Sequence, residues 1–498
     1  MKYKTLIRPV FLIFVLIIFV FLFSCSGENK NTDINDGNKD NKNENIAEDA
    51  ENGDNINEEA DHPISNLPNI DWEGKEIKFL VRGDDFYPTH CQDIYAESET
   101  GEPVNDAVYK RNTILEDRYN IKILSVKESQ VPGLQTHAEK SILADSNDFQ
   151  VSMCSTPETI YLASKGYLSD LRKVKYLDVT REYWDQNSVY GFTIYGKTLF
   201  MTGDLSIMAN DATWILMFNK NLLKDLNLAD PYELVKANQW TADKMYELMC
   251  DATIDLDGDG KITKTDQFGF TTHDSTYDGL FFGLGMRFSV MDKNGYPEIF
   301  INNERITRVM EKTIMLMDKS VTYNADWQII AKCFQENRAL FYGEVLQCVI
   351  RLRDMDTPFG VLPFPKLDEF QEDYAHMVHD TACMVGIPNN LSSDEIDFAG
   401  FTLEAIAAES GSLLVPAYYK IALEGKFLRD EESSDMLDII LRTRCFDLGY
   451  KSNWGGLFSN YVNNVRLKKT DFMSIWEKNE AKVIADMEKA VETYKDIS

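Results

Sequence analysis

Hydrophobic positions along the chain change their period several times, and each change marks an element. Glu76-Ile77-Lys78-Phe79-Leu80-Val81 alternates and then turns continuously apolar, as a strand does when it enters a core. Arg82-Gly83-Asp84-Asp85 follows as a turn. Over 104–119 the residues Val104, Ala107, Val108, Ile114, Leu115 and Tyr119 fall near helical spacing. A second strand is predicted at Ile121-Lys122-Ile123-Leu124, a helix over 134–144 and a third strand at Phe149-Gln150-Val151-Ser152-Met153. The next helix, 156–166, has Pro157 in its first turn and Gly166 placed to end it. Three strand–helix alternations predict an α/β region built on a parallel sheet. Ligands of such sheets sit beyond the carboxyl ends of the strands, which puts Arg82, Asp84, Ser155 and Thr156 on a candidate rim.

A second α/β region follows. Trp214-Ile215-Leu216-Met217-Phe218-Asn219-Lys220 reads as an apolar strand running into a helix over 221–226, and Thr241 is a good N-cap for another helix. The pattern predicts a helix over 306–319, a helix end passing into a strand over 334–342, a strand over 359–363, and mainly helix from 395 to 498.

The N-terminus has a different pattern. Lys2, Lys4 and Arg8 precede an unbroken apolar run over 11–23, shorter than the roughly 20 residues a transmembrane helix needs. Leu22-Phe23-Ser24-Cys25-Ser26-Gly27 resembles the lipobox of bacterial lipoproteins, although Phe23 departs from its usual composition. That resemblance implies a signal peptide over 1–24, lipidation of Cys25 and an anchor in the cell membrane on its outer face. The alternatives are an uncleaved anchor helix or an ordinary secretory signal. From 25 to 68 the chain is rich in Asn, Asp and Glu and nearly free of large apolar residues. A disordered leash is expected there, because so little apolar surface cannot offset chain entropy.

Composition narrows the picture. The 498 residues exceed what one core usually organises, so at least two lobes are expected. A net charge of −30 argues against nucleic acid as a partner. Cys91, Cys154, Cys250, Cys333, Cys348, Cys383 and Cys445 show no metal-site spacing and read as small buried hydrophobes. There is no G-x-S-x-G, H-E-x-x-H or P-loop, and the lone H-x-x-H at His376–His379 is a weak signal, so an enzyme is not expected.

The sharpest local motif is Asp255-Leu256-Asp257-Gly258-Asp259-Gly260-Lys261-Ile262-Thr263-Lys264-Thr265-Asp266. It matches a calcium loop of EF-hand type: oxygen ligands from Asp255, Asp257 and Asp259, a glycine at position 6, the backbone carbonyl of Lys261, and a carboxylate from Asp266 at position 12. Asp266 is shorter than the usual Glu, and the residues after it read as a strand rather than an exiting helix. A lone structural calcium site is expected, with a self-bonded Asp/Gly turn as the alternative.

Several stretches, in order, resemble the sugar-type extracellular solute-binding proteins of ABC importers. These are Asp148-Phe149-Gln150-Val151 with Tyr161-Leu162-Ala163-Ser164-Lys165-Gly166-Tyr167-Leu168-Ser169-Asp170-Leu171, Phe218-Asn219-Lys220-Asn221-Leu222-Leu223, Phe334-Gln335-Glu336-Asn337-Arg338-Ala339-Leu340-Phe341 and Phe359-Gly360-Val361-Leu362-Pro363-Phe364-Pro365. The likeness covers about residues 72 to 470. It implies two α/β lobes of periplasmic-binding-protein type joined by crossover strands, with a helix-rich C-terminal part. One lobe is expected from 69–212 with 343–405, the other from 213–342 with 406–498. It further implies a monomer that captures a small ligand, a mono- or oligosaccharide, by lobe closure and presents it to an ABC permease. Candidate contacts are Ser155, Thr156, Asp211, Trp214, Glu344, Arg351 and above all Trp454 in Ser452-Asn453-Trp454-Gly455-Gly456. Trp214 and Trp454 read equally as core tryptophans, and Glu344 and Arg351 as a solvated or paired charge. A surface adhesin or sensor on the same fold, or a carbohydrate-active enzyme, is the alternative.

Overall fold

The computed structural model describes residues 66–83, 93–129, 133–301, 303–352, 355–424 and 431–497. Cys25, Asp84, the N-terminal apolar run and all but the last three residues of the expected leash lie outside the described residues. Of those three, Leu67 packs against the core of the first sheet, so the folded chain starts slightly before the expected boundary at 68.

In chain order the main strands are β1 (Lys75–Arg82), β2 (Ile121–Glu128), β3 (Val151–Ser155), β4 (Trp214–Asn219), β5 (Phe268–Thr272), β6 (Thr322–Asn324), β7 (Ala339–Val345), β8 (Phe359–Leu362) and β9 (Cys383–Gly386). One sheet has the order β9-β3-β1-β2, with β1 parallel to β2 and β3, and β9 antiparallel to β3. The other has the order β6-β5-β7-β4-β8, with β5 parallel to β6 and β7, and β4 antiparallel to β7 and β8. The α/β expectation holds; the first sheet takes its edge strand β9 from beyond the second sheet, whose five strands β4 to β8 are consecutive in the chain.

Local chemistry explains the elements between them. The helix Pro103–Tyr119 starts on Glu102, whose carboxylate accepts from Asn105 N at 2.8 Å, and ends on Asn120 at φ 49°. The helix Thr156–Ser164 opens on a Ser155–Glu158 capping box with Pro157 in its first turn. It closes on Gly166 at φ +70°, a left-handed position that lets Gly166 N reach Ala163 O at 2.9 Å and Tyr167 N reach Leu162 O at 3.1 Å. Alternate residues of β1 enter different cores: Ile77, Phe79 and Val81 on one face, Leu80 on the other. Both faces are therefore covered, as in parallel sheets generally, and each such side chain contributes about 1.5–3 kcal/mol.

The lobe boundaries differ from expectation. Position 343 falls inside β7, and β8 also belongs to the second sheet, so the return to the first sheet comes only between Leu362 and Cys383. The position expected at 405 lies inside one helix, Ser393–Glu424. Its Phe398, Phe401, Leu403 and Ile406 fill the core with Ile77 and Phe79, while its Leu414 and Tyr418 join Met217 and Val361 under the second sheet. Pro416 lies within it. Residues 393–419 are long and apolar enough to cross a membrane, yet this apolarity is spent on the two cores, for 78% of the most apolar window is buried. Arg111, fully buried on the helix Pro103–Tyr119, ties that helix to Ser410 Oγ at 3.0 Å and to the carbonyl of Asp93 at 2.9 Å. Burial lowers its guanidinium only to about 10, so it stays charged.

All described cysteines are free thiols, and all but Cys250 are buried, as expected of small core hydrophobes.

Candidate ligand-binding site

The carboxyl ends of β5, β6 and β7 converge with the start of β4, because β4 runs antiparallel with Trp214 opposite Val345 and Ile215 opposite Glu344. At this edge lies a pocket of about 540 Å³. His273 and Asp274 enter it just after β5, Asn324 from the end of β6, and Glu344 from β7. Trp327 and Arg351 come from the helices Trp327–Gln335 and Cys348–Arg351. His379 and Thr381 enter from the segment that returns to the first sheet.

That segment is pinned to both sheets. His379 N donates to Ala212 O at 2.8 Å, next to β4, and Thr156 N donates to Asp380 O at 3.2 Å, next to β3. Lys451, whose side chain is almost wholly buried, donates to Val378 O at 2.7 Å and pairs with Asp380.

The polar groups are ordered. His273 Nε2 lies 3.0 Å from Glu344 Oε2 while its Nδ1 accepts from Ser275 N at 3.3 Å, so Nε2 carries the proton and donates to Glu344. Burial pulls His273 down, but the bond to Glu344 and the charges of Glu344, Asp274 and Asp278 together move it up. His379 is the opposite case: burial lowers it, and its Nδ1 accepts from Thr381 N at 3.3 Å, which leaves Nε2 as its N–H. Asp274 is held by Arg466 at 2.8 Å and by Asn324 Nδ2 at 3.0 Å. Asp326 caps the helix behind it through Gln328 N at 3.0 Å. Burial pushes the Cys348 thiol far above its usual range, so it is a protonated wall group, not a thiolate.

Two indoles complete the pocket. Trp214 is fully buried against His273, ring centroids 5.2 Å apart, and its indole N–H has no partner among the described residues. Trp327 is 37% exposed, and the Arg351 guanidinium sits 4.8 Å from its ring centroid. The arrangement offers an aromatic face, several fixed acceptors and several donors within one concave surface.

Of the residues expected from sequence, Trp214, Glu344 and Arg351 meet here. Asp211 lies one layer behind: it is buried, accepts from Tyr418 Oη at 2.8 Å and from Gln347 Nε2 at 3.4 Å, and so orients a pocket residue. Burial pushes its carboxyl up to about 7, against the pull of those two bonds. Arg82, Ser155 and Thr156 are spent elsewhere in structural bonds. Arg82 pairs with Glu158 at 3.0 Å inside the protein, Ser155 bonds the same carboxylate, and Thr156 Oγ1 donates to Ala382 O at 3.1 Å. Trp454 lies outside this pocket. It is 4% exposed and lines a separate hollow of about 420 Å³ with Tyr161, Phe200 and Asp486. A further hollow, about 690 Å³, is lined by Lys165, Lys173, Asp397, Lys489 and other mostly polar residues, with no aromatic ring.

His273, Asp274, Asn324, Asp326 and Trp327 were not singled out from the sequence, and His379 only as half of a weak H-x-x-H, not as a ligand contact. The rule that ligands lie beyond strand ends would have flagged His273 and Asp274, which follow a strand recognisable at Phe268.

Away from the pocket, carboxylate oxygens of Asp255, Asp257 and Asp259 lie within 4.8 Å of one another. Asp255 accepts from Gly258 N at 2.7 Å and Gly260 N at 2.8 Å, a turn that requires Gly260 at φ +82°. Asp266 stands apart from the cluster: it accepts from Thr263 N at 2.6 Å and Leu256 N at 2.9 Å, bonds that hold its carboxyl below the usual range. The loop is closed at its base by paired bonds between Ile254 and Gln267 and leads directly into β5.

No protein-family model matches the sequence, and no curated protein does. Solved structures do match. A cyclic alpha-maltosyl-1,6-maltose binding protein from Arthrobacter globiformis superposes with a TM-score of 0.55 at 15% identity, over 83% of this chain and 99% of its own. A family 1 extracellular solute-binding protein from Bifidobacterium longum subsp. infantis gives 0.53 at 12%, over 82% and 99%. An ABC substrate-binding protein from Listeria monocytogenes, in complex with cycloalternan, gives 0.52 at 12%, over 83% and 99%. At such identities the likeness establishes the fold: this chain has the two-lobed fold of the sugar-type extracellular solute-binding proteins. These structural neighbours are binding proteins by name.

Proposed function

We propose that this protein captures a carbohydrate in the pocket at the ends of β5, β6 and β7 and delivers it to an ABC transporter by closure of its lobes. The observation that carries the reading is the exposed face of Trp327, braced by Arg351 in a pocket that also holds the polar side chains of His273, Asp274, Asn324 and Glu344. Sugars present apolar ring faces and a belt of hydroxyls, and a flat aromatic surface ringed by acceptors and donors suits both. Structural neighbours named for cyclic maltosyl-maltose and cycloalternan support the same ligand class. The volume falls inside the roughly 300–1,000 Å³ range of small-molecule pockets. The test is a thermal-shift screen of residues 66–498 against a saccharide panel. A binder at about a hundred times its dissociation constant stabilises the protein by about 2.7 kcal/mol. No shift with any sugar would move the reading to an adhesin or sensor on this fold, and turnover of a sugar would move it to an enzyme.

Lipidation of Cys25 places the protein on the outer face of the cell membrane. Cys25→Ser is expected to release the chain from the membrane fraction into the medium, and intact-mass spectrometry of the wild type should show the acyl mass. A Cys25→Ser protein that fractionates like wild type would remove this assignment.

The Asp255–Asp259 loop takes up calcium as a structural ion, with Asp255, Asp257 and Asp259 as carboxylate ligands and the carbonyl of Lys261 beside them; Asp266 joins the set only by exchanging its bonds to Thr263 N and Leu256 N for the ion. Calcium at about ten times its dissociation constant is expected to add about 1.4 kcal/mol of stability. A chelator should abolish the gain, and Asp255→Ala should lack it. Equal melting temperatures in calcium and chelator would leave the loop as a self-bonded turn.

A further inference from the structure

A small hollow of about 200 Å³ lies between the helix Gln186–Phe192 and the strand Ser289–Met291. It shares no residue with the sugar pocket, so its chemistry stands apart from the carbohydrate reading. The helix comes down onto Phe446 because Gly191 has no side chain: a Cβ there would lie 2.2 Å from Phe446 O. The guanidinium groups of Arg287 and Arg444 line the hollow, and no Asp or Glu among the described residues does. The chain as a whole has 81 Asp and Glu against 51 Lys and Arg, and the sugar pocket and the other two hollows each have at least one carboxylate in the wall. A basic wall free of acids is therefore a local reversal of the protein's charge.

The bonds around the hollow leave one charge unanswered. Arg444 pairs with Asp185 at 2.7 Å and bonds Asn210. Arg287, half-buried, pairs with no carboxylate among the described residues: it donates to Met286 O at 2.6 Å and to the Cys445 thiol, and sits 5.2 Å from the Phe282 ring centroid. Burial raises the Cys445 thiol above its ordinary range, so it offers no counter-charge. Asp447 is spent on Phe288 N at 2.6 Å, Tyr450 N at 3.0 Å and Ser289 Oγ at 2.6 Å. Tyr190 Oη donates to Met291 O at 3.0 Å and Asn187 Nδ2 to Arg442 O at 3.0 Å, so the neutral polar groups of the wall are spent as well. Part of the Arg287 fork remains unspent. We propose that this hollow binds a small oxyanion, with Arg287 as its main partner and Arg444 beside it. A partly buried guanidinium is costly without a counter-charge, and its planar fork matches paired oxygens. The volume lies below the roughly 300 Å³ at which small-molecule pockets begin, which suits an ion better than a sugar. The bound ion would tie the helix Gln186–Phe192 to the strand Ser289–Met291.

The test titrates the purified full chain with inorganic phosphate in calcium-free Hepes, ionic strength held constant with chloride, and reads thermal shift and hydrogen–deuterium exchange. The expected result is a saturating rise in melting temperature and slower exchange in peptides covering 186–192, 286–291 and 444–446. Parallel titrations with sulfate and acetate name the ion: a response to phosphate and sulfate alone makes it tetrahedral, and one to acetate alone makes it a carboxylate, either of which upholds the site. Arg287→Gln should weaken the response about tenfold, and Arg287→Lys, which keeps the charge but not the fork, should retain part of it. The exchange map of the wild type decides the matter should Arg287→Gln fail to fold. No response beyond that to chloride, protection confined to other parts of the chain, or an Arg287→Gln protein that responds like wild type would overturn the proposal.

Discussion

Trp327→Ala is expected to weaken saccharide binding about thirtyfold, close to 2 kcal/mol, while costing the fold no more than about 1 kcal/mol. The asymmetry follows from where the ring sits. Trp327 is 37% exposed at the first position of its helix, and Asp326, not the indole, caps that helix. Removing the ring deletes the flat apolar face of the pocket and the seat of Arg351, 4.8 Å away, without opening a core cavity. Isothermal titration with the best sugar from the panel reads the affinity, and thermal denaturation reads the fold. A change in Kd of less than about threefold would mean that the sugar does not stack on Trp327.

Trp454→Ala should show the reverse. At 4% exposure, packed beside Gly449 in the main hydrophobic core, it is a large buried side chain, and its truncation is expected to cost about 3–5 kcal/mol of stability. Its helical turn is locked to the C-terminal helix Phe472–Asp496 by Gly455 N donating to Asp486 at 2.8 Å, and a Cβ at Gly455 would collide with Val483. The loss of packing should therefore loosen that helix, whereas sugar affinity at a temperature where the variant is folded should stay within about twofold. Chemical denaturation and titration on one preparation separate the two effects. Lost affinity with full stability would return Trp454 to the ligand site.

These two tryptophans show what the sequence conveys and what it hides. Strand and helix identities were legible because period and capping are local: Pro157, Gly166 and Thr241 sit where the chain needs them. The sheet to which a strand belongs is not local. β7 and β8 are apolar on both faces, so nothing in their pattern distinguishes one sheet from the other, and the expected lobe boundary fell inside β7. Among site residues, Trp214, Glu344 and Arg351 were legible because they flank long apolar strands. Trp327 was not, because the strand before it, Thr322–Asn324, is too short to show a period. Asp211, Ser155 and Thr156 sit near strand or helix ends as the rim rule requires, yet their side chains are consumed by bonds to Tyr418, Glu158 and Ala382. Spacing alone cannot distinguish a polar residue facing ligand from one satisfying the fold.

The helix Ser393–Glu424 has one further consequence. Because its two ends are embedded in different cores, any change in the angle between the sheets must bend it. Pro416 removes one hydrogen bond from its ladder and so sets where it yields most easily. The helix is in effect a leaf spring with a notch. If the protein captures its ligand by lobe closure as proposed, the stiffness of this helix enters the balance between open and closed forms with the same standing as the ligand contacts, and apparent affinity is then tuned in part at a position that no ligand touches.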